Sequence, residues 1–91
     1  MQLTWTEKAL SDLARLHDFL APVNRQAAAK VVQQLVAAPG ILSGNPRLGE
    51  RLEEFNPRDV RRILVGDYEL RYEVNRQRIF LLRVWHSREQ R

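Results

Sequence analysis

The sequence predicts an α+β fold: a short N-terminal strand, an antiparallel helix hairpin, and an antiparallel β-meander that the hairpin covers on one face. Three observations predict it. Apolar residues recur at helical spacing through the first forty positions. The period changes to two from about residue 60. Short links rich in Gly, Pro and Asn separate the segments. Ninety-one residues, 44 % of them hydrophobic, are enough for one compact core, so positions 1–91 are read as a single domain.

The elements follow in order. Leu3 and Trp5 alternate with Gln2 and Thr4 as a strand. Thr6 is a good N-cap, Glu7 complements the helix dipole, and Trp5 with Leu10 has the spacing of a hydrophobic staple. Ala9, Leu10, Leu13, Leu16 and Leu20 form the apolar stripe of a helix over 7–20, with Lys8, Asp12, Arg15 and Asp18 off it. His17 is a half-exposed helix residue on this reading. Pro22 breaks the chain, and Asn24 caps a second helix reaching about residue 38. Its stripe is Ala28, Val31, Val32, Leu35 and Val36, and the run Ala27–Ala29 permits close helix contact. Pro39-Gly40 ends or kinks that helix before a turn through Leu42, and 44–49 is loop by composition. Three strands are expected at 60–65, 68–74 and 79–85, with turns at Gly66-Asp67 and Asn75–Gln77. In the second, Tyr68, Leu70, Tyr72 and Val74 share the buried face. In the third, simple alternation sets Phe80, Leu82 and Val84 against Leu81, Arg83 and Trp85. The sheet face away from the helices is left open and receives arginines.

Charge is unevenly placed. Residues 1–57 carry six basic and six acidic side chains, whereas 58–91 carry nine arginines against five acids, so the net +4 sits in the C-terminal third. Thirteen of the fifteen basic residues are Arg, whose planar fork pairs with phosphate or carboxylate and favours an acidic partner. The apolar run 79–82 leads into Arg83-Val84-Trp85-His86-Ser87-Arg88-Glu89-Gln90-Arg91. Guanidinium groups around an imidazole suit contact with a polyanion, and the alternative is a solvated basic tail. With no cysteine there is no disulfide, thiolate metal site or cysteine nucleophile, and two distant histidines make no metal site, so neither metal nor cofactor is expected. No apolar run approaches the ~20 residues of a membrane span, and the start of the chain lacks the basic-then-apolar order of a signal peptide. The expected setting is cytoplasmic.

Several short motifs in this order carry a resemblance. They are Trp5-Thr6 with Ala9-Leu10 and Asp12-Leu13, Asn24 with Ala27-Ala28, and Asn45-Pro46-Arg47-Leu48-Gly49. Val60-Arg61-Arg62, Gly66-Asp67-Tyr68, Arg71-Tyr72-Glu73-Val74 and Arg83-Val84-Trp85-His86 with Arg88 follow. The ordered set resembles the RelE/ParE toxins of type II toxin–antitoxin modules, also called the plasmid stabilisation family, over essentially the whole chain. The resemblance implies a small basic toxin neutralised by a cognate antitoxin encoded beside it. An antitoxin segment of alternating acidic and apolar residues would dock on the arginine-rich sheet face and the edges of the helix hairpin.

The family divides by target. ParE-like members resemble inhibitors that bind DNA gyrase, and for that reading the target-binding candidates are Arg71, Arg83, His86, Arg88 and Arg91. RelE-like members resemble endonucleases that cut messenger RNA on the ribosome. Cutting RNA through its 2′-OH needs a base, cations for the phosphorane and an acid for the leaving oxygen. His86, Arg83 and Arg62 are the catalytic candidates for it, with Glu50, Glu53 or Glu54 as a carboxylate. Ribonuclease-type relatives tend to place an arginine directly after the aromatic or histidine that opens the second meander strand, and Glu69 stands there. A carboxylate at that position repels a scissile phosphate, and Arg71 compensates only in part. The gyrase-type reading is therefore preferred. A non-toxic nucleic-acid-binding module is a further alternative, with a steep salt dependence but without paired exposed aromatics for base stacking.

Overall fold

The computed structural model describes residues 1–89 of the chain. Strand β1 (Gln2–Trp5) leads into helix α1 (Glu7–Leu20), then α2 (Arg25–Ala37), which runs on as a 3-10 segment over Ala38–Ser43. A two-residue strand β2 (Glu50–Arg51), a 3-10 turn (Glu53–Phe55), and strands β3 (Asp59–Val65), β4 (Tyr68–Asn75) and β5 (Arg78–His86) complete the fold. Both helices begin at the expected caps: Thr6 Oγ1 accepts from the Ala9 amide at 3.2 Å, and Asn24 Oδ1 from the Ala27 amide at 3.0 Å. A cap of this kind satisfies amides that have no acceptor within the helix.

The five strands lie in the order β1-β5-β4-β3-β2. The meander β3-β4-β5 is as expected, but the sheet is mixed, because β1 pairs with β5 in parallel. The helices cover one face. Ala9, Leu13 and Leu16 of α1 and Leu35 of α2 pack with Leu42, Leu70, Tyr72, Ile79, Leu81 and Val84. Tyr68 and Val74 pack against this core from the same face of β4. Leu10 stays 51 % exposed in spite of its helical spacing, while Trp5 is drawn toward the core.

Two expectations about faces are corrected. In β5 the register slips by one residue where Arg71 and Tyr72 of β4 pair with Arg83 and Leu81, so Leu82 is an extra residue. This bulge places Ile79, Leu81 and Val84 on the helix side, and Arg83 and Trp85 on the open side. A continuous apolar run does not specify which residue is skipped, so simple alternation assigned Leu81 to the wrong side. Asp12 was expected on the solvated side of α1 but is only 4 % exposed.

Asp12 is buried because β1 covers only part of β5. Beyond Leu81 no strand neighbours the β5 edge among the described residues, and unpaired edge amides and carbonyls are costly when buried. Side chains take the place of a strand. Thr6 Oγ1 donates to the Leu81 carbonyl at 2.7 Å, the Val84 amide donates to Asp12 Oδ2 at 2.9 Å, and Arg15 donates to the Val84 carbonyl at 3.2 Å.

Candidate functional site

The open face is built on three arginines in register: Arg62 of β3 opposite Arg71 of β4, and Arg71 opposite Arg83 of β5. Three adjacent guanidinium groups would repel one another without counter-charge. Glu69, 1 % exposed, sits among them and accepts from Arg62 at 3.2 Å and from Arg71 at 3.3 Å. Arg62 also pairs with Glu50 at 2.6 Å. The Arg71 guanidinium lies over the rings of Phe55, at 5.3 Å, and Trp85, at 4.6 Å, so two aromatic faces hold it as well. Arg83 lies over Trp85 at 4.8 Å and reaches round the uncovered edge of β5 to Asp12, with contacts of 2.8 and 3.2 Å.

Asp12 is thus the hub of the edge. Burial alone would raise its pKa, but the bonds from Arg83, the Val84 amide and Arg15 outweigh that and hold the carboxyl below its ordinary value. Arg15 passes the connection on by pairing with Glu89, whose other oxygen accepts from the His86 amide at 2.8 Å. A turn over His86–Glu89 is closed by the Glu89 amide donating to the His86 carbonyl at 3.0 Å. The Arg88 amide donates to His86 Nδ1 at 3.1 Å, so that nitrogen acts as an acceptor. Asp12, Arg15 and Glu89 were not candidates on sequence, where charged residues on a helix and near a terminus read as solvated.

The candidates divide between two faces. Arg62 and Arg71 occupy the open face, already paired, and Arg83 is committed to Asp12. His86 pairs in register with Tyr68, and its ring meets the tyrosine edge-on at 5.1 Å on the helix side. So the triad His86, Arg83 and Arg62 does not converge on one point. Arg88 has no carboxylate partner among the described residues, and Arg91 lies outside them. Of the loop carboxylates, Glu50 is engaged by Arg62 and Glu53 by Asn56. Among the described residues no group of three or more His, Asp or Glu is placed to hold a metal ion, and no helix is long and apolar enough to cross a membrane.

The loop motif 45–49 has a structural explanation. The Tyr72 hydroxyl crosses the core, donates to the Pro46 carbonyl at 2.8 Å and accepts the Gly49 amide at 2.9 Å. Arg61 donates to the carbonyls of Arg47 and Gly49 at 3.2 and 3.0 Å. A hollow of about 560 Å³ lies between the end of α1 and the C-terminal turn, lined by Arg15, Leu16, Phe19, Leu20, His86, Arg88 and Glu89.

Comparison with known proteins gives this geometry a family. The family described as ParE toxin of type II toxin-antitoxin system, parDE, matches residues 3–91. The chain is 29 % identical over 86 residues to Toxin RelE2 of Caulobacter vibrioides, covering 94 % of each. It superimposes with a TM-score of 0.78 at 26 % identity on a chain of the chromosomal ParDE TA system from P. aeruginosa, covering 94 % of this chain and 95 % of that one. The motifs, the strand order and the family match agree, and the chain belongs to the ParE toxin family of type II toxin–antitoxin systems.

Proposed function

We propose that this toxin acts in the ParE manner, arresting growth by binding DNA gyrase in the cytoplasm, without cutting phosphodiester bonds, until a cognate antitoxin neutralises it. One observation carries the reading. The buried Glu69 carboxylate occupies Arg62 and Arg71, the cations that an RNA-cutting face would need for the phosphorane. An incoming phosphate would meet that carboxylate in a water-poor setting, where like-charge repulsion is strong. A proton carrier must also lie within hydrogen-bond reach of the atom it serves. His86 stands on the helix side, across the sheet from Arg62. A binding surface makes no such demand, and the C-terminal turn with Arg88 presents one.

The decisive experiment compares two assays on the purified toxin: supercoiling by DNA gyrase, and cleavage of message on translating ribosomes. Gyrase inhibition without cleavage is expected. His86→Ala should keep much of the gyrase inhibition, since binding needs no proton transfer. Cleavage that falls by about 10²–10⁴ in His86→Ala, the usual contribution of a general acid or base, would decide for the ribonuclease reading.

A further inference from the structure

The exposed apolar side chains at the end of α1 have no role in the fold. Phe19 is 79 % exposed and Val23 88 %, while Leu13 and Leu16 already bury the helix against the sheet. Large exposed apolar groups that cluster, rather than scatter, mark interaction surfaces. Here Phe19 adjoins other apolar side chains: with Leu16 and Leu20 it walls the hollow facing the C-terminal turn. The opposite wall is made by His86, Arg88 and Glu89.

The charges around the hollow choose its occupant. Glu89 is neutralised by Arg15, and Asp12 by Arg15 and Arg83. Arg88 has no carboxylate partner among the described residues and lies on the wall beside apolar side chains. We infer that the hollow between α1 and the C-terminal turn is the surface by which this toxin grips its target protein, taking an apolar side chain between Phe19 and Leu20 with a neighbouring carboxylate on Arg88. The inference rests on the reading of the protein as a binder of a target protein. It goes beyond that reading in placing the contact on α1 and not on the arginine-rich sheet face. An exposed aromatic anchor next to an arginine is the composition from which strong protein contacts are made. The Asp12–Arg15–Glu89 chain is the positioning device, because it fixes the turn that forms the second wall.

Three variants test it: Phe19→Ala and Arg88→Glu, at exposed positions outside the buried core, and Glu89→Gln, which removes the charge that Arg15 holds. Growth arrest on expression without antitoxin is the first readout, inhibition of purified DNA gyrase the second, and binding of the cognate antitoxin the third. Thermal melting checks folding. Phe19→Ala and Arg88→Glu should each weaken arrest and gyrase inhibition by about tenfold or more, the scale of an interface hot spot. Both should melt with the parent. Glu89→Gln should weaken both activities and speed hydrogen exchange at the His86 amide, which a purely local charge effect would not do. If the parent arrests growth but leaves gyrase untouched, the gyrase reading falls, and arrest alone judges the hollow. Phe19→Ala and Arg88→Glu variants as toxic as the parent would overturn the inference. So would variants that keep full toxicity but lose antitoxin binding, because the hollow would then belong to the antitoxin. A parent without toxicity would overturn both readings.

Discussion

At the scale of single residues, the chain uses carboxylates where its sequence suggests free cations. Arg15, Arg51, Arg58, Arg61, Arg62, Arg71 and Arg83 each lie within 4.0 Å of an Asp or Glu oxygen. Asp12 accepts from Arg15, Arg83 and the Val84 amide, and its substitution is the sharpest test. In Asp12→Asn the amide oxygen still accepts from Val84, but its NH2 group faces the guanidinium groups of Arg83 and Arg15, donor against donor. Removing one partner of a buried pair costs about 3 kcal/mol, so the variant should lose about that much stability in urea at pH 7. The pH dependence follows from the lowered pKa of Asp12. Its ionised form stabilises the fold fully above the unfolded-state value of about 4, and that contribution disappears as pH falls through the depressed folded-state value. The gap between parent and variant should therefore narrow below about pH 4; a gap constant from pH 7 to 3 would contradict the role assigned to Asp12.

At the scale of elements, the legible parts of the fold were those written in local periodicity and caps. Both helices, their N-caps Thr6 and Asn24, and the three meander strands could be read because apolar spacing and capping act over a few residues. What could not be read depended on distant pairing. The parallel β1–β5 pair joins positions more than seventy residues apart. The bulge at Leu82 ends the apolar run 79–82, and the arginines that flank the run, Arg78 and Arg83, do not say which residue inside it is skipped. The same contrast holds at the site: the types Arg, His and Glu were legible, but their partners were not, because pairing is set by register. Glu69 stands out against the arginine that the family resemblance implies there for a ribonuclease, and burial beside Arg62 and Arg71 gives the physical reason it is tolerated. The loop before the sheet yields a prediction at this scale. A Cβ at Gly49 would lie 2.6 Å from the Arg62 carbonyl oxygen and 2.7 Å from the Tyr72 hydroxyl, and the backbone oxygen cannot swing aside. Gly49→Ala should cost about 1–3 kcal/mol, the usual range for overpacking. Tyr72→Phe leaves the Pro46 carbonyl and the Gly49 amide without their partner, for a similar loss of about 1–3 kcal/mol. Because both variants break one contact, the double variant should lose less than the sum in a denaturation cycle.

At the scale of the whole molecule, a sequence pI of about 10.3 suggests a polyanion binder, yet the distribution of pairs argues otherwise. The open face is neutralised from within by Glu50, Glu69 and Glu73, the last holding Arg58 through two bonds at 3.1 and 2.8 Å. Arg25, Arg47, Arg76, Arg78 and Arg88 are left without a carboxylate partner among the described residues, and they are scattered over helix, loop, hairpin tip and C-terminal turn. The densest remaining pair is Arg76 and Arg78 at the β4–β5 turn, where Arg76 and Gln77 adopt left-handed backbone with φ of 49° and 69°. Affinity for duplex DNA falls with salt by a slope of about −0.9 for each phosphate neutralised. A dedicated nucleic-acid module with a basic sheet face would engage six or more phosphates and show a slope steeper than about −5. Contact through the hairpin tip alone predicts a slope near about −2 and weak, sequence-independent binding. Titrating labelled duplex DNA between low and physiological salt measures this directly. A shallow slope that is abolished in the Arg76→Ala, Arg78→Ala double variant is the expected result. A steep slope that survives that variant would mean the sheet arginines leave their carboxylates for phosphate, and would return the open face to contention as a nucleic-acid surface.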